Sequence, residues 1–70
     1  MDEKILEKIA YNIRLERLKK RYSQEKLAEK VGISTKYINM IENCKTNPTI
    51  VIIIKICNAL EIDLNTIYQI

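Results

Sequence analysis

The sequence predicts an all-α protein, a compact five-helix bundle that forms one domain over residues 1–70. Apolar residues recur at helical spacing along most of the chain, and residues suited to cap helices precede the apolar segments. One glycine and one proline leave few turns for a β-sheet. A composition of 47% hydrophobic and 30% charged residues is that of a globular protein.

The first helix is predicted from about residue 3 to residue 21. The apolar residues expected to form its buried stripe are Ile5, Leu6, Ile9, Ile13 and Leu18. Its last segment, "RLERLKKR", carries five cations and one acid. This cluster suits either the binding of a polyanion or a solvated helix end where cations meet the negative end of the dipole, and the sequence leaves both open.

Two short helices joined by a tight turn follow. Ser23 is suited to cap a second helix that runs to Val31, and Gly32 ends that helix because glycine adopts a positive φ without strain. Ser34 then caps a third helix, from near Thr35 to about residue 43. A turn of three or four residues containing glycine between two short helices indicates a helix-turn-helix, here over about residues 23–43.

The third helix has two different faces. Tyr37, Ile38 and Ile41 share one side, which we expect to face the core. The residues expected on the outer side are Thr35, Lys36, Asn39, Met40 and Asn43. On an isolated helix this polar side would be a solvated surface, but its place within a helix-turn-helix makes it a candidate binding surface.

The segment "TIVIIIKICNAL", residues 49–60, has the β-branched composition of a buried strand. We nevertheless predict a fourth helix, because Pro48 separates it from the third helix and Thr49 can cap it. Its periodic apolar positions are Ile50, Ile53, Ile56, Cys57 and Leu60. Asp63 is expected to cap a short fifth helix that carries Leu64, Ile67 and Tyr68.

Further apolar side chains lie outside the core side of the fourth helix, where an ordinary surface helix carries polar residues. Either the first helix and the C-terminal tail cover them, or they form a patch that a second copy buries. We predict a homodimer. The residues expected at its interface are Val51, Ile52, Ile54 and Ile67.

The sequence argues against enzymatic and membrane functions. It contains no histidine, no glycine-rich loop and no clustered carboxylates, and Cys44 and Cys57 lack metal-ligand spacing. We therefore expect no catalytic residue, metal, cofactor or small-molecule ligand. The charged N-terminus resembles no signal peptide, and the apolar run Ile50–Ile54 is far shorter than the roughly 20 residues of a membrane span. We expect a cytoplasmic protein with two free thiols.

The run "IRLERLKKRYSQEKLAEKVGISTKYINMIENCKTNPTI", followed by "IKICNALEIDLNTIY", resembles the phage Cro and repressor type of helix-turn-helix regulator. The matching features are Ser23-Gln24, Leu27-Ala28, Gly32, Ser34, Tyr37-Ile38, Ile41-Glu42, Asn47-Pro48 and Ala59-Leu60. The resemblance spans nearly the whole chain and implies a bundle of the lambda-repressor-like DNA-binding type.

The resemblance implies that the third helix is a recognition helix that lies in the major groove of double-stranded DNA. Its candidates for reaching base edges are Thr35, Lys36, Asn39 and Met40. Lys36 can donate to guanine O6 or N7, and Asn39 can pair with adenine. Thr35 and Met40 offer apolar contact to a thymine methyl group.

The resemblance also implies contacts that fix the register on DNA without reading its sequence. Gln24 matches a residue that lies against the DNA backbone at the start of the second helix. The other residues expected at phosphates or sugars are Ser23, Tyr37, Asn43 and Lys45, and Ser34 joins them at the start of the recognition helix.

Two further positions carry structural expectations from the resemblance. Arg17 and Glu42 match an internal ion pair that ties the first helix to the end of the third. Cys44 stands where related proteins usually have glycine. The turn there is either strained, by about 1 kcal/mol or more, or different, which would move Lys45.

The predicted function is that of a sequence-specific regulator of transcription that binds an inverted repeat as a homodimer, with half-sites about 10 bp apart. Repression by occupying an operator is the plainest mechanism, and activation through contact with RNA polymerase remains an alternative. A different hypothesis is a protein-interaction module on the same scaffold, such as an antitoxin that grips a partner protein with the fourth-helix patch.

Overall fold

The computed structural model describes residues 3–68, and in that range the chain forms five α-helices and no strand. They are α1 (Glu3–Lys19), α2 (Gln24–Val31), α3 (Thr35–Glu42), α4 (Ile50–Leu60) and α5 (Leu64–Ile67). The all-α, five-helix prediction is confirmed. Residues 1, 2, 69 and 70 of the predicted domain lie outside the described residues.

Four helices begin at the capping residues that the sequence predicted. The Ser23 hydroxyl accepts from the N–H of Lys26 at 2.9 Å, and the Ser34 hydroxyl accepts from the N–H of Tyr37 at 3.0 Å. Thr49 caps α4 and Asp63 caps α5 in the same manner. Each cap satisfies an N–H group that lacks a partner within its helix, and such a cap contributes about 1 kcal/mol.

Four helices also end in a left-handed residue. Gly32 has φ 86° after α2, and the corresponding residues Arg21, Cys44 and Glu61 have φ between 57° and 61°. In each case the next residue donates its N–H to a carbonyl five residues back, as Ile33 does to Ala28 at 3.1 Å. This hydrogen bond closes the last turn of the helix and is characteristic of the Schellman motif. Because Arg21 takes part in it, α1 ends at Lys19 rather than at the predicted residue 21.

The five helices enclose one apolar core. α2 packs against both α3 and α4, while α1 packs against α3 and α5. The buried cluster consists of Ile9, Ile13, Leu27, Ala28, Ile38, Ile41, Ile53, Ile56, Cys57, Leu60 and Ile67. Every helix contributes to this cluster, so no helix can leave without exposing apolar surface.

The segment at residues 49–60 is a helix despite its β-branched composition. Ile53, Ile56, Cys57 and Leu60 are buried in the core from α4. Burial of one such aliphatic side chain stabilises the fold by about 1.5–3 kcal/mol, whereas the helix propensity of isoleucine costs only a fraction of 1 kcal/mol. Tertiary packing therefore decides the conformation.

Three residues assigned to buried stripes are exposed instead. Leu18 is 51% exposed because it lies about 140° around α1 from Ile13. Ile5 is also exposed, at the edge of the same stripe. Ile50 is 52% exposed because it is the first residue of α4, at the end of the stripe that Ile53 continues.

The prediction that Ile67 lies at a dimer interface is corrected by its burial. Its side chain is 0% exposed and belongs to the core cluster. Its carbonyl accepts from Asn12 Nδ2 at 2.8 Å, which ties the end of α5 to α1. A side chain with no exposed surface offers nothing to a second copy, so Ile67 holds the monomer together.

Candidate nucleic-acid interface

The side of α3 that faces solvent is fixed by the side that faces the core. Ile38 is 0% and Ile41 1% exposed, and α3 packs closely on α2. Gly32, Ile33 and Ser34 connect the two helices, and Ile33 packs against the core. The orientation of the outer side of α3 therefore follows from buried contacts.

The candidate base-reading residues share this outer side. Thr35, Lys36 and Asn39 are exposed, and Met40 is half-buried. At 100° per residue the four positions span an arc of about 140°. We call Thr35, Lys36, Asn39 and Met40 the outer arc of α3. It presents a hydroxyl, an ammonium, an amide and a thioether side by side.

The two capping serines have a structural role besides the predicted contact with DNA. Each hydroxyl oxygen of Ser23 and Ser34 accepts a hydrogen bond from its own helix. A hydroxyl can accept and donate at once, so each retains a hydrogen for a phosphate oxygen. Tyr37 is half-buried against the core, so much of its ring serves packing.

Cys44 adopts the left-handed conformation that glycine favours. Its φ is 58°, and its N–H donates to the carbonyl of Ile41 at 3.2 Å. The N–H of Lys45 donates to the carbonyl of Met40 at 2.8 Å. Of the two alternatives drawn from the sequence, the strained turn is the one observed. The hydrogen bond to Met40 therefore holds the backbone of Lys45, an exposed residue, against the last turn of α3.

Arg17 and Glu42 form the ion pair that the resemblance implied. Arg17 Nε lies 2.7 Å from Glu42 Oε2, and a second guanidinium nitrogen donates to Oε1 at 3.0 Å. The side chains are 10% and 2% exposed. Arg17 also donates to the carbonyl of Tyr22 at 2.7 Å, so one guanidinium joins α1, the loop before α2 and the end of α3.

Gln24 has partners that the sequence analysis missed. Its Nε2 donates to Glu42 Oε1 at 3.2 Å, and its Oε1 accepts from Asn39 Nδ2 at 3.3 Å. Asn43, predicted to touch DNA, donates from Nδ2 to the backbone carbonyl of Asn39 at 2.8 Å. The two contacts of Gln24 join side chains from separate helices, and only the packing of α2 on α3 reveals them, whereas the contact of Asn43 lies within the last turn of α3.

The cations at the end of α1 are largely engaged within the chain. Besides Arg17, Lys19 pairs with Glu16 at 3.1 Å and Lys20 pairs with Glu61 at 2.9 Å. The hydrogen bond between Lys20 and Glu61 raises the pKa of the ammonium and lowers the pKa of the carboxyl. Three of the five cations in this cluster therefore have an acidic partner within the chain, and one of the three, Arg17, is buried.

The apolar side chains at the start of α4 are exposed. Val51 is 57% and Ile54 43% exposed, beside Ile50, while Ile52 is half-buried against the core. We call Ile50, Val51 and Ile54 the α4 patch. α1 does not cover it, and the C-terminal tail beyond Tyr68 lies outside the described residues.

Metal binding and membrane crossing find no support in the part of the chain that the structure describes. Within residues 3–68 no three acidic or cysteine side chains form a metal-binding group. Burial raises the pKa of the Cys57 thiol, which keeps it protonated and a poor nucleophile. None of the helices in that range has the length and apolar character to cross a membrane.

Comparison with known proteins identifies the same architecture. The family model described as helix-turn-helix matches residues 13–67. The chain is 37% identical over 60 residues to the HTH-type transcriptional regulator SinR of Bacillus subtilis, covering 84% of this chain and 54% of SinR. The chain thus spans about half the length of the curated relatives it matches.

Solved structures are similar over nearly the whole chain. A hypothetical transcription factor, NHTF, from Neisseria superposes with a TM-score of 0.90 at 31% identity, covering 99% of this chain and 80% of NHTF. The restriction-modification controller protein C.AhdI from Aeromonas hydrophila gives 0.87 at 32% identity, covering 90% and 96%.

SinR itself is represented by two complexes. In complex with DNA, SinR superposes with a TM-score of 0.80 at 35% identity, covering 87% of this chain and 98% of that SinR chain. In complex with the SinI protein the TM-score is 0.79 at 35% identity, covering 87% and 60%.

Proposed function

This chain belongs to the helix-turn-helix family of non-enzymatic DNA-binding regulators, and we propose that it is a transcriptional repressor that binds a palindromic operator as a homodimer. The observation that carries the proposal is the outer arc of α3, three exposed polar side chains beside the half-buried Met40 on a helix whose other side is buried in the core. A helix with its side chains fits the width of the major groove, where each base pair presents a distinct pattern of donors and acceptors.

The outer arc supplies the chemistry that base reading requires. Lys36 donates to the two acceptors of guanine, and Asn39 both donates to and accepts from adenine. Thr35 and Met40 bring methyl groups to thymine. SinR, whose structure includes DNA, is 35% identical to this chain in the aligned region, which supports DNA as the partner here.

The residues around the arc are proposed to hold the DNA backbone. The N-terminus of α2 carries Ser23 and Gln24, where backbone N–H groups and the helix dipole favour a phosphate. Ser34, Tyr37 and Asn43 flank the arc on α3. Lys45, exposed and without an ion pair among residues 3–68, supplies a positive charge beside it.

The α4 patch is proposed as the dimer interface, through Val51 and Ile54 together with Ile50 and the half-buried Ile52. A domain of this size has a modest core, and a second copy that covers the patch adds apolar burial. Dimeric helix-turn-helix proteins bind half-sites about one helical turn of DNA apart, so a two-fold dimer of this chain is proposed to bind a palindromic site with half-sites about 10 bp apart.

Repression follows from occupancy of the operator, since a bound dimer blocks RNA polymerase. Activation by direct contact with RNA polymerase is the alternative outcome at the same site. The protein is proposed to act in the cytoplasm. No small-molecule ligand enters this mechanism.

The test is selection of bound duplexes from a random pool, followed by gel shifts at two salt concentrations and light scattering. We expect an inverted repeat among the selected sequences, affinity that falls steeply with salt, and a dimer. A repressor lowers transcription from a promoter that overlaps the selected site, and an activator raises it. Selected sequences without symmetry, or binding that ignores sequence, would contradict the proposal.

A second candidate is a protein-interaction module that uses the α4 patch to grip a different protein, as an antitoxin does. Its support is the exposure of the patch and the complex of SinR with the SinI protein. A monomer in solution with no salt-sensitive affinity for any duplex would favour this candidate over the repressor.

A further inference from the structure

A chain of hydrogen bonds runs from the buried ion pair to the outer arc of α3. Gln24 stands in its middle, donating to Glu42 and accepting from Asn39. We propose that Gln24 is a positioning residue that, held by Glu42, fixes the orientation of the Asn39 amide and thereby sets adenine as the base that Asn39 reads. The proposal deepens the proposed function and rests on it.

The direction of donation along this series of hydrogen bonds is set at Glu42. Its carboxylate accepts two hydrogen bonds from Arg17, at 2.7 Å and 3.0 Å, and its side chain is 2% exposed. An ionised carboxylate has no hydrogen to donate. The end of the Gln24 amide that faces Glu42 must therefore be the NH2 group.

The orientation then passes from Gln24 to Asn39. With its NH2 group turned to Glu42, Gln24 directs its carbonyl oxygen to Asn39, 3.3 Å from Nδ2. A carbonyl oxygen only accepts, so Asn39 must turn its own NH2 group toward Gln24. A reversed Asn39 amide would place two carbonyl oxygens against each other.

Asn39 keeps a donor and an acceptor for a base. Its Nδ2 has two hydrogens, and Gln24 takes one of them. Within residues 3–68 no hydrogen bond is made to Asn39 Oδ1. Asn39 thus offers one N–H on the side near Gln24 and one oxygen on the far side.

This pair of groups matches one base. In the major groove adenine presents an acceptor, N7, beside a donor, its N6 amino group. Guanine presents two acceptors, cytosine one donor, and thymine an acceptor and a methyl group. Because Gln24 fixes which side of Asn39 donates, it also fixes which way round the adenine lies.

Positioning differs measurably from a contact between Gln24 and a phosphate. The second hydrogen of Gln24 Nε2 remains free for a phosphate oxygen, and loss of that contact weakens binding to every sequence equally. Loss of positioning weakens discrimination at one base pair alone. The ratio of the dissociation constants for two duplexes that differ at that base pair distinguishes positioning of Asn39 from contact with a phosphate.

The experiment first identifies the adenine that Asn39 reads, as the operator position at which Asn39→Ala abolishes the preference for adenine. It then compares the selected operator with a second duplex that has guanine in place of that adenine. The wild type should prefer adenine by roughly 5- to 150-fold. Gln24→Leu should lower this preference by about 2- to 10-fold, as expected for one hydrogen bond. The double variant with Asn39→Ala should lose no more preference than Asn39→Ala alone.

Lys36→Ala is the matched control on the same helix, since Lys36 is exposed and lies outside the hydrogen-bond chain. It should lower discrimination at another base pair and leave the adenine preference intact. Thermal melting checks that Gln24→Leu is folded, and Gln24→Met replaces it if it is not. If the Gln24 variant weakens both duplexes equally, Gln24 contacts phosphate only and the proposal is overturned.

A measurement without DNA separates this proposal from the proposed function. In spectra of the free, ¹⁵N-labelled protein, Gln24→Leu should shift the side-chain amide signals of Asn39, and Lys36→Ala should not. Unchanged Asn39 signals overturn the hydrogen-bond chain even if the protein binds its operator. A wild type without sequence preference overturns the proposed function even if the Asn39 signals shift.

Discussion

At the scale of single residues, Cys44 carries backbone strain just after the end of α3. Its φ of 58° is costly for a residue with a Cβ, by about 1 kcal/mol or more. We predict that Cys44→Gly is more stable than Cys44→Ala by about 1 kcal/mol, or about 4–8 °C in melting temperature. Both variants lose the thiol, so the difference between their melting temperatures measures the backbone strain at this position. Equal stability would mean that the turn holds no such strain.

Arg17 is the residue whose loss should cost most among the charged side chains. Removing it leaves the Glu42 carboxylate almost buried and takes a donor from the Tyr22 carbonyl. We predict that Arg17→Met lowers the free energy of unfolding by about 3–5 kcal/mol, measured by urea denaturation.

Lys19→Met is the control for that measurement, because the Lys19 side chain that pairs with Glu16 is 62% exposed. Exposed pairs of this kind contribute about 0–1 kcal/mol. Comparable losses in the two variants would show that the pair of Arg17 with Glu42 is no more than a surface contact.

At the scale of elements, α3 carries the residues that pack it into the core on one side and the residues proposed to read DNA on the other. We predict that Lys36→Ala and Asn39→Ala each lower discrimination between sites by about 1–3 kcal/mol. Melting should stay nearly unchanged, because both side chains are exposed. Duplex competition assays measure discrimination, and thermal scans measure stability.

The contrasting variant is Ile38→Ala, from the opposite side of α3. Ile38 is 0% exposed, and its truncation should cost about 2–5 kcal/mol of stability. A sharp drop in melting for Lys36→Ala or Asn39→Ala would place those side chains in the fold instead and refute the assignment of the two faces.

The boundaries of the elements were largely predictable because each depends on one or two neighbouring residues. Ser23, Ser34, Thr49 and Asp63 cap helices by hydrogen bonds that reach two or three residues along the chain. Gly32 ends α2 through its own φ. Such local signals are read directly from sequence.

The sequence did not predict in the same way which apolar side chains are buried and which side chains from different helices meet. Helical spacing gives the direction of a side chain but not where the neighbouring helix stops, so Ile50, at the end of its stripe, was wrongly placed in the core. Leu18 was wrongly placed for another reason, because it lies about 140° around α1 from Ile13. Ile67 was placed at an interface because its partners on other elements are distant in sequence. The link of Gln24 to Glu42 spans 18 residues and exists only through packing.

At the scale of the whole molecule, the α4 patch is the surface through which two copies are proposed to associate. We predict that Ile54→Lys weakens self-association roughly tenfold or more, because it places a charge in an apolar contact. The monomer should stay folded, since Ile54 is 43% exposed. Sedimentation equilibrium measures the dimer affinity.

Leu18→Lys is the control for this variant, because Leu18 is an exposed apolar residue on α1 outside the α4 patch. It should leave the dimer unchanged. If Ile54→Lys leaves dimer affinity unaltered while Leu18→Lys lowers it, the copies associate through α1 and the proposed interface is wrong.

The central claim is that a rigid polar ridge on α3 enters the major groove. The most direct measurement is of intermolecular nuclear Overhauser effects in the complex of the labelled chain with its selected duplex. We predict contacts from the side chains of Lys36 and Asn39 to base protons of the major groove. Contacts to bases from another surface, with Lys36 and Asn39 remaining in bulk solvent, would contradict the account.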